Sequence, residues 1–219
     1  MAISDRRFHL RDHTRALHDR LDNQIGAFAG ASDYAAYLQG MARFRMSAEA
    51  WMNDASLPDT TWRPRRIADL LQSDLIDLGL AAPEAETINA LRDTPSHVLG
   101  ALYVIEGAVL GGQVLAVRAR ALGFDASFGA RHLADAEQGL ASWRGYLDAL
   151  DRCETYDPDA ALAAANAMFA AAVTMFAPDD SGDVAAPGEN GLDHAEHVEH
   201  RPVLRQVPSD VVLKARQVR

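Results

Sequence analysis

The chain has 219 residues, 48% hydrophobic and 24% charged, the size and composition of one globular domain with a core. A formal net charge of -10 and a pI of about 5.2 exclude a protein that grips nucleic acid through a basic face. The single cysteine, Cys153, excludes an internal disulfide; with no signal-peptide core and no uncharged apolar run of spanning length, a cytoplasmic protein without a membrane segment is expected.

Residues 5–23 read as a first helix. Leu10, Thr14, Leu17, Leu21 and Ile25 recur at three- and four-residue steps and give it one apolar face, ended by Gly26. Ser32 and Asp33 open a second helix, through about Asp54, and Pro58 ends that region. Arg65 to Leu78 reads as a third, broken by Gly79, and Pro83 to Leu91 as a further short helical piece. Asp93-Thr94-Pro95 is a restart, with Thr94 suited to cap a helix and Pro95 to begin it. A long helix runs from there to Gly123. Ala130 to Arg152 follows, and Asp157-Pro158-Asp159 starts the last helix, Ala160 to Phe176. After Pro178 the composition turns to Gly, Pro and charge, so 178–219 is expected to be a poorly ordered tail. The chain is thus expected to be an all-α single-domain bundle over residues 1–177, plus that tail.

The long helix has the unusual composition. SHVLGALYVIEGAVLGGQVLAVRARALGF, residues 96–124, is mostly apolar yet holds Gly100, Gly107, Gly111 and Gly112. Each glycine costs about 0.8–1.0 kcal/mol against alanine in a helix interior. Something is therefore expected to come close to this backbone, and the Gly-Gly pair predicts a kink near 107–112. Gly107 and Gly111 also form a small-xxx-small face that would suit two touching helices.

On the first helix, Arg11, Arg15, His18 and Asp22 fall along one side, at the border of the apolar stripe. A neutral imidazole at a core edge is a good iron ligand, and a carboxylate nearby can fix its ring. Arginines one and two turns away suit anionic groups at the edge of a ligand. An iron porphyrin has that layout: a central metal, an apolar disc and two peripheral carboxylates. The same residues also suit a solvated helix face with ordinary Arg–Asp pairs.

Two segments together carry a resemblance. LRDHTRALHDRLD at 10–22 and ALYVIEGAVLGGQVLAVRARALG at 101–123 resemble the proximal and distal signatures of heme oxygenases. The likeness is closer to the bacterial, biliverdin-producing branch associated with bacteriophytochromes, and it covers about residues 5–177. It implies a heme-oxygenase-like bundle with a kinked, Gly-rich distal helix. It further implies His18 as the proximal ligand to heme iron and Gly107 and Gly111 as the glycines that lie over the heme. Arg11 and Arg15 match basic residues toward the propionates, and Tyr103 matches a tyrosine near one of them. The implied reaction is O2- and electron-dependent cleavage of heme, at once substrate and cofactor, to biliverdin, CO and ferrous iron. No NAD(P) or flavin fingerprint is found, so electrons are expected from an external donor, a ferredoxin or a flavin-dependent reductase. A biliverdin-accepting phytochrome is a further implied partner.

Two positions depart from the family pattern. Asp22 stands where glutamate is usual, and Ala108 where animal-type enzymes carry an aspartate that orders distal water. These keep a non-enzymatic heme carrier or sensor on the same scaffold as the alternative. A thiaminase-like hydrolase would want a catalytic cysteine, and Cys153 has no evident partner. A di-iron oxidase would want several Glu and His ligands at helical spacing, and no such set is found.

Overall fold

The computed structural model describes residues 5–56, 62–134 and 136–177. Pro58 and the expected tail 178–219 lie outside the described residues. The helices are α1 (Asp5–Ile25), α2 (Ala31–Asn53), α3 (Ala68–Asp77), α4 (Pro95–Ala121), α5 (Arg131–Ala134), α6 (Ala136–Arg152) and α7 (Pro158–Met175). Among the described residues there is no strand, as the all-α expectation requires.

Local chemistry sets most of the boundaries. The Thr94 hydroxyl accepts from the His97 N–H and Pro95 fills the first turn of α4. Asp157 caps α7 by accepting from the Asp159 and Ala160 N–H groups. Gly26, Gly79 and Gly123 follow α1, α3 and α4 with φ of 61, 67 and 91°, the left-handed geometry that ends helices.

Two expectations are corrected. Helix α3 begins at Ala68 rather than Arg65, because its cap comes from another helix. Ile67 offers no side-chain cap, and Glu49 of α2 accepts from the Ile67 and Ala68 N–H groups at 2.7 and 3.1 Å. The short helix at 83–91 is absent. That segment lies along α2, where the Glu86 N–H donates to Ser47 Oγ and Trp51 Nε1 donates to the Ala90 carbonyl, while Ile88 and Ala90 are buried. So short a piece has little helical stability of its own, and partners on α2 win. Helices α5 and α6 cover the stretch expected as a helix over 130–152, with residue 135 outside the described residues.

Helix α7 is the platform of the bundle, and α1, α2 and α4 all pack on it. Its buried face is rich in alanine, with Ala161, Ala164, Ala165 and Ala172, which lets α4 approach closely. A Cβ on Gly100 would lie 1.9 Å from the Ala161 carbonyl oxygen, so the contact itself demands glycine there. By length and composition α4 could cross a membrane, but half of its most apolar stretch is buried in the bundle. It runs continuously from Pro95 to Ala121, none of its glycines has positive φ, and the glycine pair does not interrupt it. Helix α1 is docked at its start by Arg6, whose Nη1 donates to the Leu150 and Cys153 carbonyls at 2.6 and 2.9 Å, at the end of α6.

Candidate functional site

Two polar cross-links tie α1 to α4 and leave a slot between them. At one end the Tyr103 hydroxyl lies beside that of Thr14. At the other, Arg118 Nη1 donates to the Gly26 carbonyl at 2.8 Å. At 1.5 Å per residue, the links stand about 18 Å apart along α1 and about 22 Å apart along α4. Both helices rest on α7, which therefore floors the slot, and the ring of its Phe169 meets His18 edge-on with centroids 5.9 Å apart. His18 and Gly107 each lie about 6 Å, one turn, past the first link and so stand at the same height. Gly111 comes one turn later.

The α4 wall of the slot is bare and apolar. Leu110, Val114 and Val117 are exposed by 42, 55 and 57%. A Cβ on Gly111 would meet nothing within 4 Å, and one on Gly107 would meet only the Trp143 ring, at an ordinary 3.6 Å. Helix packing requires Gly100 but neither of these two, so they are not the contact face of a helix pair. An uncovered apolar wall without Cβ atoms fits a flat apolar ligand pressed against the backbone.

The α1 wall supplies the imidazole. His18 Nδ1 lies 3.2 Å from Asp22 Oδ2, so the shorter acid still reaches the ring. A carboxylate at this distance can hold the proton on Nδ1, which would leave the lone pair on Nε2, the tautomer of a metal ligand. Arg11 donates to Asp12 Oδ1 at 2.7 Å, and Arg15 Nε lies 3.8 Å from Asp19. Both pairs are exposed and hence weakly held. Tyr103 sits at the rim, 6.0 Å from Trp143 between ring centroids. Burial raises its hydroxyl pKa, against the Arg7 charge and the Thr14 hydrogen bond, which lower it. Among the described residues no three or more His, Cys, Asp or Glu gather as a metal site, so the di-iron ligand set has no counterpart there.

The opposite face of α4 has a different character. A cavity of about 60 Å³ there is lined by Ala108, Gly112 and Gln113 of α4 together with Tyr37, Arg45, Glu106 and His132. Arg45 is buried: it donates to the Ile105 and Arg65 carbonyls at 3.1 and 2.7 Å, and its Nε has no partner. Burial raises the Glu106 carboxyl, against hydrogen bonds from Ser142 and the Arg65 N–H. Behind it runs a buried chain in which His132 Nδ1 lies 2.7 Å from Asp74 and Nε2 lies 3.1 Å from the Tyr37 hydroxyl. Burial lowers the His132 pKa, although Asp74 pulls it up, so the ring is neutral and donates to Asp74 while accepting from Tyr37.

The match to known proteins follows these landmarks. The heme oxygenase family model matches residues 75–178, from within α3 through α7. The heme oxygenase PigA of Pseudomonas aeruginosa is 32% identical over 163 residues, 70% of this chain and 81% of that protein. The chain belongs to the heme oxygenase family. A solved NO- and CO-bound heme oxygenase from Neisseria meningitidis has the same fold, with a TM-score of 0.61 at 22% identity over 84% of this chain and 98% of that one.

This heme oxygenase is thus an enzyme that degrades heme. The family-model match begins beyond α1, so the role of His18 is argued from the slot itself. The structure brings His18, Tyr103, Gly107 and Gly111 to the slot and leaves Arg11 and Arg15 paired along α1. Three members of the frame escaped the sequence reading: Arg118, the Thr14–Tyr103 link, and Arg7, whose guanidinium lies 5.5 Å from the Trp143 ring centroid. A signal existed for two of them, since Arg7 precedes Arg11 by one turn and Arg118 follows Gly111 by two on the same face.

Proposed function

We propose that this heme oxygenase cleaves heme to biliverdin, CO and ferrous iron in the slot between α1 and α4, within a catalytic domain of residues 1–177. The observation that carries the reading is Gly111, a helix-interior glycine on an open apolar wall, where a Cβ would meet nothing within 4 Å among the described residues. His18 Nε2 would hold the iron, with Asp22 fixing the ring through Nδ1. Gly107 and Gly111 would let the α4 backbone lie over the disc, and Arg11, Arg15 and Tyr103 would face the propionates. When bound, heme supplies both the iron that takes up O2 and electrons and the macrocycle that is cut.

The remaining work belongs to the chain. Leu110, Val114 and Val117 exclude water from one side of the slot. Phe169 beneath His18 limits the tilt of the imidazole. Across α4, Ala108 lines a cavity shared with Arg45 and Glu106, so the polar groups near this position are those two rather than residue 108. Burial raises the Glu106 carboxyl and so favours its protonated form. Electrons come from an external ferredoxin or flavin-dependent reductase, O2 is the co-substrate, and the product passes to a phytochrome, as in the bacteriophytochrome-associated branch. A cytoplasmic location suits that chemistry. These assignments are supported by the family relation and by the sequence likeness at 10–22 and 101–123.

The test is to load the protein with hemin, add a reductant in air with catalase present, and follow the visible spectrum. Loss of the Soret band with a biliverdin product is expected. A Soret band that persists under O2 and electrons would support the carrier or sensor alternative. His18→Ala is expected to abolish the axial-ligand signature; an unchanged signature would remove His18 from the site.

A further inference from the structure

We propose that Arg7 fixes the in-plane orientation of the substrate by binding one of its carboxylates beside Tyr103, a statement that rests on the heme reading of the slot. Arg7 lies one turn before Arg11 and three turns before His18, so the three share one face of α1. It differs from Arg11 and Arg15 in two respects. Those two are exposed and paired with Asp12 and Asp19. Arg7 is half-buried, and among the described residues it has no carboxylate partner.

What holds Arg7 instead is aromatic. Its guanidinium lies 5.5 Å from the centroid of the buried Trp143 ring. That ring also lies 6.0 Å from Tyr103 and comes within 3.6 Å of where a Cβ on Gly107 would be. One indole therefore positions the guanidinium, the phenol and the glycine backbone relative to each other. Of the charges acting on the Tyr103 hydroxyl, that of Arg7 is the strongest, ahead of Arg11. The result is a planar donor fork beside a phenol at the Thr14–Tyr103 end of the slot, without a counter-ion among the described residues.

A half-buried guanidinium without an anion is costly, and a carboxylate would remove that cost through two parallel hydrogen bonds. Stacking on Trp143 orients the fork in advance, which a lysine ammonium could not reproduce. The substrate carries its two carboxylates on one edge. Holding that edge at this end of the slot decides which part of the ring comes under Gly107 and Gly111, and hence which bridge is opened.

The test compares hemin with its dimethyl ester, which keeps the disc and iron but lacks both carboxylates. Spectroscopic titration of the full chain is run on the parent, Arg7→Gln, Arg7→Lys and the surface control Arg152→Gln. Arg7→Gln is expected to weaken hemin binding by about tenfold or more, from the loss of a charge-assisted pair, while leaving ester binding unchanged. Arg7→Lys is expected to recover part of the hemin affinity and yet give a mixture of biliverdin isomers by chromatography. Arg152→Gln should match the parent throughout. Equal losses for hemin and ester in Arg7→Gln, or parental affinity with parental isomers, would overturn the assignment while leaving the heme reading intact. If the parent forms no His18-dependent complex with either porphyrin, the heme reading itself falls and takes Arg7 with it.

Discussion

The two faces of α4 solve opposite problems. The rear face is polar and buried: Glu106 and Arg45 are hydrogen-bonded to other parts of the protein, and Asp74, His132 and Tyr37 form a bonded chain. The front face is open and apolar, with exposed Leu110, Val114 and Val117 and no Cβ at Gly107 or Gly111. The rear polar groups have partners inside the protein and hold α2, α3 and α5 together. The front apolar groups lack partners inside it. Stability is therefore concentrated behind the helix and ligand chemistry in front, and a substitution on either face should report which it disturbs.

The largest effect belongs to the rear. Asp74→Ala strips His132 and Arg131 of their shared acceptor and should lower the unfolding free energy by about 3–5 kcal/mol in urea titrations. A loss below about 1 kcal/mol would mean that the buried chain does not hold the bundle together. Next comes the packing glycine: Gly100→Ala drives a methyl into the Ala161 carbonyl and should cost about 1–3 kcal/mol by the same assay.

The pH dependence is a gentler probe of the rear face. The folded pKa of His132 is lowered, chiefly by burial, so its contribution is complete above the unfolded value of about 6.5 and is lost as pH falls. Burial opposes the charge of Asp74, but hydrogen bonds from His132 and from backbone N–H groups prevail and its pKa is also lowered. Its share is lost only below about 4, the ordinary carboxylate range. Glu106 has the opposite sign, because a raised carboxyl favours the fold at low pH. The thermal midpoint of the heme-free protein should thus fall from about pH 6.5 downward and again below about 4; a flat profile from pH 8 to 4 would contradict the neutral, buried His132.

The smallest expected shift discriminates best. Gly111→Ala should stabilise the heme-free protein by about 0.5–1 kcal/mol, since the methyl meets open space and alanine is the better helix former. On the proposed reading the same methyl should weaken hemin binding, because it would stand where the disc lies. Stabilisation with unchanged hemin binding would place the ligand elsewhere, and destabilisation would mean that the front face is packed after all.

Much of this was legible in the sequence, for local reasons. Thr94-Pro95 and Asp157-Pro158 start their helices, and Gly26, Gly79 and Gly123 end theirs, because capping and left-handed stops depend on a few neighbouring residues. The glycines of α4 could be noticed but not sorted. Only the position of Ala161 separates Gly100, which is needed for contact, from Gly111, which is not. What depends on distant partners stayed hidden. The cap of α3 comes from Glu49, the segment 83–91 is pinned by Ser47 and Trp51, and the rear chain joins residues from α2, α3 and α5. Arg7 looked like one more arginine in a basic stretch, because Trp143 lies far along the chain.

The buried residues of α1 are Leu10 and Thr14, both in its first half. From the Tyr103 link onward, the helix that carries His18 contributes partly covered side chains to a slot whose other wall is bare. By the usual rule of folding, such surfaces should have found each other and closed. Here they are spaced by a polar contact at either end and a shared platform below. On the proposed reading the interior of this domain is left unfinished by its sequence, and a flat apolar guest would complete it. Such a guest would serve as a removable part of the hydrophobic core. An enzyme built this way would dismantle, at every turnover, a piece of its own interior.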